Sequence, residues 1–268
     1  MIAFARGKER SVLSSLFGAS TSGDEDEEED EPGPSGGGDD RGVEEEELTH
    51  RGQFAEIRLF QQKSRGIAHQ LWPAATHLCN YIDGNTQAVF EPHGGVEQAR
   101  VVELGAGIGL VGLYVAALGC KRTILTDLPK AMDILNRNIE ANEVNGKGAV
   151  DCMPLSWGSS EEASLVVSAL NEHSTTLSFP PLILAADCIY WECLFEVLVE
   201  TLCELLAIPG ARVLMSHVRR WKKDARFFKL CTKRGLSVTV LQETVEHVPA
   251  INTGLPERCI TRIYSMHM

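Results

Sequence analysis

The sequence predicts an α/β fold: a mainly parallel sheet covered by helices on both faces and closed by a terminal antiparallel hairpin. Three observations carry this. Strand and helix signals alternate from Arg100 onward, a glycine-rich turn follows the first of those strands, and two strand signals stand close together near the C-terminal end. Strands joined by helical crossovers run parallel, and a parallel sheet needs both faces covered.

Element by element, alternating polarity from Phe54 to Phe60 predicts an edge strand. Trp72 to Ile82 reads as a helix, with Pro73 in its first turn and Asp83-Gly84 as its stop. The alternation then runs strand Arg100 to Leu104, helix Leu110 to Leu118 ended by Gly119, strand Arg122 to Thr126, helix Pro129 to Asn142 and strand Ala149 to Met153. After a polar loop come strand Leu182 to Ala186, helix Leu194 to Leu206 stopped by Pro209-Gly210, strand Ala211 to Ser216 and a helix around Asp224 to Arg234. Leu236 to Leu241 and Cys259 to Met266 supply the final hairpin.

The charge is unevenly placed. Of 268 residues, 37 are acidic and 25 basic, a net charge of −12. Fourteen of the acids lie between Thr21 and His50, interrupted by one base, Arg41, so the remaining body is close to neutral. Residues 1–50 are expected to form a disordered acidic tail, because the charge run and the Pro32 to Gly38 stretch cannot bury enough apolar surface to offset ordering entropy. Met1 to Ser20 is basic and serine-rich, which also suits a transit peptide; a plain tail is the preferred reading. Residues 51–268 then make one domain. A neutral body argues against a duplex nucleic-acid binder held by phosphate contacts, and no run approaches the roughly 18 apolar residues a membrane span needs. The eight cysteines stand singly, without metal-ligand spacing, and read as reduced, mostly buried thiols of a cytoplasmic or nuclear protein; no metal site is expected.

The first parallel strand runs into Glu103-Leu104-Gly105-Ala106-Gly107-Ile108-Gly109-Leu110, and Asp127 ends the second. Glycines permit positive φ and close approach of a ligand, and a strand-end acid can accept both hydroxyls of a ribose. A dinucleotide fingerprint would place glycine or alanine where Leu110 stands. Together with Leu71-Trp72-Pro73-Ala74-Ala75, Thr126-Asp127-Leu128-Pro129, Leu155-Ser156-Trp157-Gly158 and Ala186-Asp187-Cys188-Ile189-Tyr190, this loop resembles the class I S-adenosylmethionine-dependent methyltransferases. Within them it is most similar to the seven-stranded, Rossmann-like family 16, whose known members mostly methylate lysines of non-histone proteins.

The resemblance implies S-adenosylmethionine as cofactor, with Glu103 and the backbones of Gly105 and Gly107 at its methionine moiety, Asp127 at the ribose, Trp157 at the adenine and Trp72 near the sulfonium. It places Asp187 and Tyr190 at the catalytic end, Asp187 also touching the cofactor side. There Asp187 would orient the acceptor amine and take up or relay its proton, while Tyr190 would supply an aromatic wall or a hydroxyl. Each residue also has an ordinary reading: core aromatics for Trp72 and Trp157, a turn residue for Asp127, a satisfied strand-end acid for Glu103, a helix N-terminal acid for Asp187. The expected partner is a protein presenting a lysine, and a monomer is expected. Arginine, histidine or a small metabolite as acceptor, or a non-catalytic binding protein on the same fold, remain the alternatives. Arg219-Arg220-Trp221-Lys222-Lys223 reads as a basic patch for an acidic protein surface or for RNA, or as a solvated loop whose tryptophan covers the core.

Overall fold

A computed structural model describes residues 44–142, 148–171, 179–249 and 256–268. The acidic run from Asp24 to Asp40 and the proposed transit segment lie outside the described residues. Its elements in chain order are β1 (Glu46–Arg51), β2 (Glu56–Gln61), α1 (Pro73–Phe90), β3 (Arg100–Leu104), α2 (Leu110–Leu118), β4 (Arg122–Asp127), α3 (Met132–Ala141), β5 (Ala149–Pro154), α4 (Ser160–Asn171), β6 (Leu182–Ala186), α5 (Phe195–Leu206), β7 (Arg212–Arg219), α6 (Ala225–Lys233), β8 (Ser237–Pro249) and β9 (Pro256–His267).

Seven strands form the main sheet in the order β5-β4-β3-β6-β7-β9-β8. From β5 to β7 neighbours are parallel, and β9 runs antiparallel to both β7 and β8. The chain leaves β3 outward through β4 to β5, then returns to β6 on the other side of β3. This reversal opens a crevice at the carboxyl ends of β3 and β6, where ligands bind in such sheets.

One core lies on each face of the sheet. Leu78, Ile82 and Phe90 of α1 pack with Leu113 and Tyr114 of α2, whereas Val166 of α4, Phe195 and Leu198 of α5 and Phe227 of α6 share the other. Helix α2 is buried along most of its length and lies tight on the sheet. A Cβ at Gly112 would come within 1.9 Å of Leu125 and 2.7 Å of the Glu103 carboxylate, so glycine is required for this approach.

Five expectations change. Strand β1 begins at Glu46, inside the segment assigned to the tail, and pairs with β2 in a separate two-stranded sheet, so the ordered body starts before residue 51. The strand at 56–61 is therefore not an edge of the main sheet. Its outer backbone is met by a helix: Asn138 of α3 and Asn142 just past its end accept from the Phe60 and Arg58 amides and donate to their carbonyls. Helix α1 continues past Asp83-Gly84 to Phe90, bending at Asn85, because Asn85 and Thr86 donate back to the carbonyls of Tyr81 and Ile82. The polar loop after β5 contains α4, whose entry is fixed by the Ser159 hydroxyl accepting from the Glu162 amide and the Glu162 carboxylate accepting from that of Ser156. Its apolar face is Ala163, Val166 and Leu170, a 3–4 spacing set among mostly exposed serines and glutamates. Of the eight cysteines four are buried and Cys193 is exposed, so the buried description holds for only half of them.

Candidate functional site

The crevice is built first by the turn after β3. Gly105, Gly107 and Gly109 all have positive φ (59°, 57° and 86°), which lets the chain double back above β3 before α2 begins. Asp127, at the end of β4, ties this turn down: one carboxylate oxygen accepts from the Gly107 amide at 2.8 Å, the other from its neighbour Leu128 at 2.7 Å. Desolvation pushes the Asp127 carboxyl up, against these two bonds. Glu103 lies beneath the turn, 2% exposed, and accepts from the Gly112 amide in the first turn of α2 at 2.7 Å. Its burial pushes the carboxyl up to about 8, and the Gly112 bond offsets only part of this.

Two segments wall the turn. A Cβ placed on Gly105 would stand 3.0 Å from the Trp157 ring and 3.1 Å from the Cys188 sulfur, so the loops after β5 and β6 both close on this glycine. Cys188 donates to the Leu104 carbonyl at 3.2 Å and its thiol is pushed well up by burial, the state of an inert packing group. The Tyr190 ring lies 6.2 Å from Trp157 and 5.3 Å edge-on to Trp191; burial raises its phenol. On the other side, residues 66–72 cross the turn as a strap, the Ala68 carbonyl lying 3.5 Å from where a Cβ of Gly107 would stand. The strap is stitched by Gln62 donating to the His69 carbonyl, Leu71 to the Gln61 side chain, and the Trp72 indole to the Ile67 carbonyl.

Asp187 ends β6 and is the one non-glycine residue with positive φ (62°) among the described residues. Such a backbone strains a residue bearing a Cβ, and Asp tolerates it better than most. Its side chain, 3% exposed, receives both arms of Arg220, at 2.7 and 2.5 Å. The pairing raises the Arg220 guanidinium's affinity for its proton, and the same guanidinium lies 5.5 Å above the Trp72 ring. Arg220, its side chain still 28% exposed, is therefore committed to Asp187 rather than free for a docking surface as its sequence neighbours suggest. Arg219, Trp221, Lys222 and Lys223 remain exposed, and Lys223 sits 5.8 Å from the Trp221 ring, which at 56% exposure covers no core. Nor does Asp187 cap the following helix; the fork of Arg220 engages both its oxygens.

The structure thus brings Trp72, Gly105, Gly107, Asp127, Trp157, Asp187 and Tyr190 to one end of the sheet, with Glu103 bracing the turn from below. The sequence marks Arg220 as part of a basic patch but gives no sign of its pairing with Asp187, and the strap residue Ala68 carries no signal of its own. Their place depends on how β7 ends against β6 and how the strap crosses the turn.

The profile of the family described as lysine methyltransferase matches residues 53–234, which contain every one of these positions. Protein N-lysine methyltransferase METTL21A of Danio rerio is 36% identical over 64% of this chain and 70% of its own length. EEF1A lysine methyltransferase 3 of Mus musculus is 33% identical, over 61% of this chain and 62% of its own. Protein-lysine N-methyltransferase EFM6 of Saccharomyces cerevisiae is 34% identical, over 61% and 68%. With its glycine turn, its two strand-end acids and its D-x-x-Y all inside the matched region, the chain belongs to the lysine methyltransferase family.

Proposed function

We propose that the chain methylates a lysine side chain of another protein, using S-adenosylmethionine. The observation that carries this reading is the placing of the Asp187 carboxylate and the Trp72 ring together at the switch point of the sheet, where both already meet a cationic side chain, the chain's own Arg220. A carboxylate and an aromatic face are what an alkylammonium needs for capture. The names of the relatives, which specify lysine in proteins, support the same acceptor.

The residues present fit the methyl donor. Trp157 packs against the Cβ-less face of Gly105, beside the turn, and Asp127 offers a strand-end carboxylate of the kind that accepts ribose hydroxyls. Trp157 offers a ring for the adenine. Glu103 is buried beneath, so its contribution passes through the turn and the α2 terminus that it holds. S-adenosylmethionine supplies a methyl group whose bond to sulfur breaks, with the electron pair leaving on sulfur, as the amine nitrogen bonds to carbon.

The chain's own residues prepare that amine. An unperturbed lysine ammonium has a pKa near 10.4, so its proton must leave before the lone pair is usable. The apolar walls of Tyr190 and Trp72 favour the neutral amine, and Asp187 aims it. The rate gain then comes mostly from alignment. Incubation with methyl-labelled cofactor and a proteome extract, followed by mass spectrometry, is expected to place the label on lysine; label only on arginine, histidine or a small molecule would refute the reading.

Two further outcomes follow from named contacts. Asp127→Ala removes the acceptor of two backbone amides and of the ribose, and should weaken cofactor binding by on the order of 100-fold in calorimetry. Undiminished affinity would remove Asp127 from the cofactor site. For the exposed Arg219, Lys222 and Trp221, we infer an acidic substrate surface. Arg219→Glu with Lys222→Glu should raise KM about tenfold at low salt with less effect at high salt. An unchanged KM would show that this face does not dock substrate.

A further inference from the structure

Behind Asp187 lies a buried histidine that the reading above does not use. His217, on β7, is 2% exposed, and its Nε2 stands 3.2 Å from an oxygen of Asp224. Asp224 is equally buried, and that same oxygen accepts from the amides of Arg220 and Trp221 at 3.0 Å each. The other ring nitrogen, Nδ1, has no hydrogen-bond partner and points at Asp187, 4.0 Å from its nearer oxygen.

The chemistry of this arrangement is constrained. A carboxylate only accepts, so Asp224 fixes the proton of a neutral imidazole on Nε2 and leaves a lone pair on Nδ1. Burial lowers the His217 pKa below its ordinary value, more than the two carboxylates raise it, so the ring is neutral near pH 7. The charged groups facing it are Asp187 after β6, Asp224 before α6 and Arg220 after β7. Its register partner on β9, Arg262, is held by Glu243, and the Phe228 ring of α6 covers it at 6.2 Å. The lone pair therefore faces a carboxylate, with no donor between them.

We propose that His217 is the terminal proton acceptor of the methylation site, acting through Asp187 as a positioning and relay residue. This rests on the lysine reading. The substrate N–H bond breaks, its proton passes by way of the Asp187 carboxylate to Nδ1, and the bonding pair stays on the substrate nitrogen as the lone pair that attacks. The resulting imidazolium lies between Asp187 and Asp224, two anions that stabilise it. Closing the 4.0 Å gap to a hydrogen bond needs a shift of about 1 Å by either side chain. Between an unperturbed lysine and imidazole the transfer is uphill by roughly four pKa units, so the relay serves an amine already desolvated in the crevice. Arg220 holds Asp187 in place without offering any acceptor of its own.

The test uses the full chain with His217→Asn, which keeps an amide donor toward Asp224 without a basic nitrogen, and His217→Gln as a second variant in case the first is unstable. Either should lower kcat about 100-fold at pH 7 with cofactor affinity and Tm near wild type, and the deficit should shrink toward pH 9.5 as solvent deprotonates the amine. Separately, nitrogen NMR of the wild-type chain should show His217 as the Nε2–H tautomer. A deficit equal at every pH, turnover at the wild-type level, or an Nδ1–H tautomer would each overturn the relay. Failure of the lysine reading looks different: the wild-type enzyme itself would then label no lysine, and the relay would fall with it.

Discussion

Asp187→Asn is expected to lower kcat by roughly 10²- to 10⁴-fold, the range associated with loss of a positioned acid–base group. Asparagine keeps the shape of the side chain and tolerates the left-handed backbone at φ 62°. It cannot pair in fork fashion with Arg220, nor accept and pass on a proton as a carboxylate does. Cofactor affinity measured by calorimetry should change by less than about threefold, which separates a role toward the amine from one in holding the donor. Asp187→Ala adds strain. A Cβ residue without a local hydrogen-bonding side chain costs about 1–2 kcal/mol in that backbone region, and Arg220 loses its buried partner as well. The alanine variant should therefore melt below the asparagine variant while being no more active. Wild-type turnover in the asparagine variant would take Asp187 out of the mechanism, and a large loss of cofactor affinity would move it to the donor site.

The second large effect is one of stability. Glu103 titrates at about 8 in the fold against 4.5 for the ordinary carboxyl, because burial penalises its ionised form. Its folded-state pKa is raised, so between those values the native chain holds a proton that the unfolded chain has lost. The stabilising contribution is complete below pH 4.5 and is lost as pH rises through 8; converted, this span is on the order of 5 kcal/mol. Glu103→Gln cannot ionise, and its amide oxygen can still accept from Gly112. Relative to the variant, the wild type should lose stability from pH 5 to pH 8.5, with Tm falling by on the order of 10 °C more. Parallel curves for the two proteins would mean that Glu103 is ionised and compensated in the fold.

Much of the architecture is legible before any coordinates. The strands at 100–104 and 182–186 and the helix at 110–118 fall where apolar runs and glycine stops put them, since local periodicity and turn chemistry decide such elements. Helix α4 was hidden because three buried positions among serines and glutamates make a weak periodic signal. Helix α1 outran its apparent stop because Asp-Gly is a turn signal only when nothing nearby repairs the helix, and here Asn85 and Thr86 do so. The start at Glu46 was masked by charge: β1 is mostly exposed, so its acids are tolerated and its pairing with β2 leaves no hydrophobic trace.

The class of the sheet, the glycine turn, and the acids at the ends of β3 and β4 and just after β6 are readable from the chain, because they depend on backbone freedom and on the ends of single strands. The pairing of those acids comes from packing. Glu103 turns under α2, Asp127 ties the glycine turn, and Asp187 meets Arg220 rather than a helix terminus. Arg220 and His217, 33 and 30 positions from Asp187, reach it only because β6 and β7 lie side by side and place those positions beside its carboxylate. Charge is written along the chain, but in a low-dielectric crevice its effect depends on distance, and distance is set by the fold.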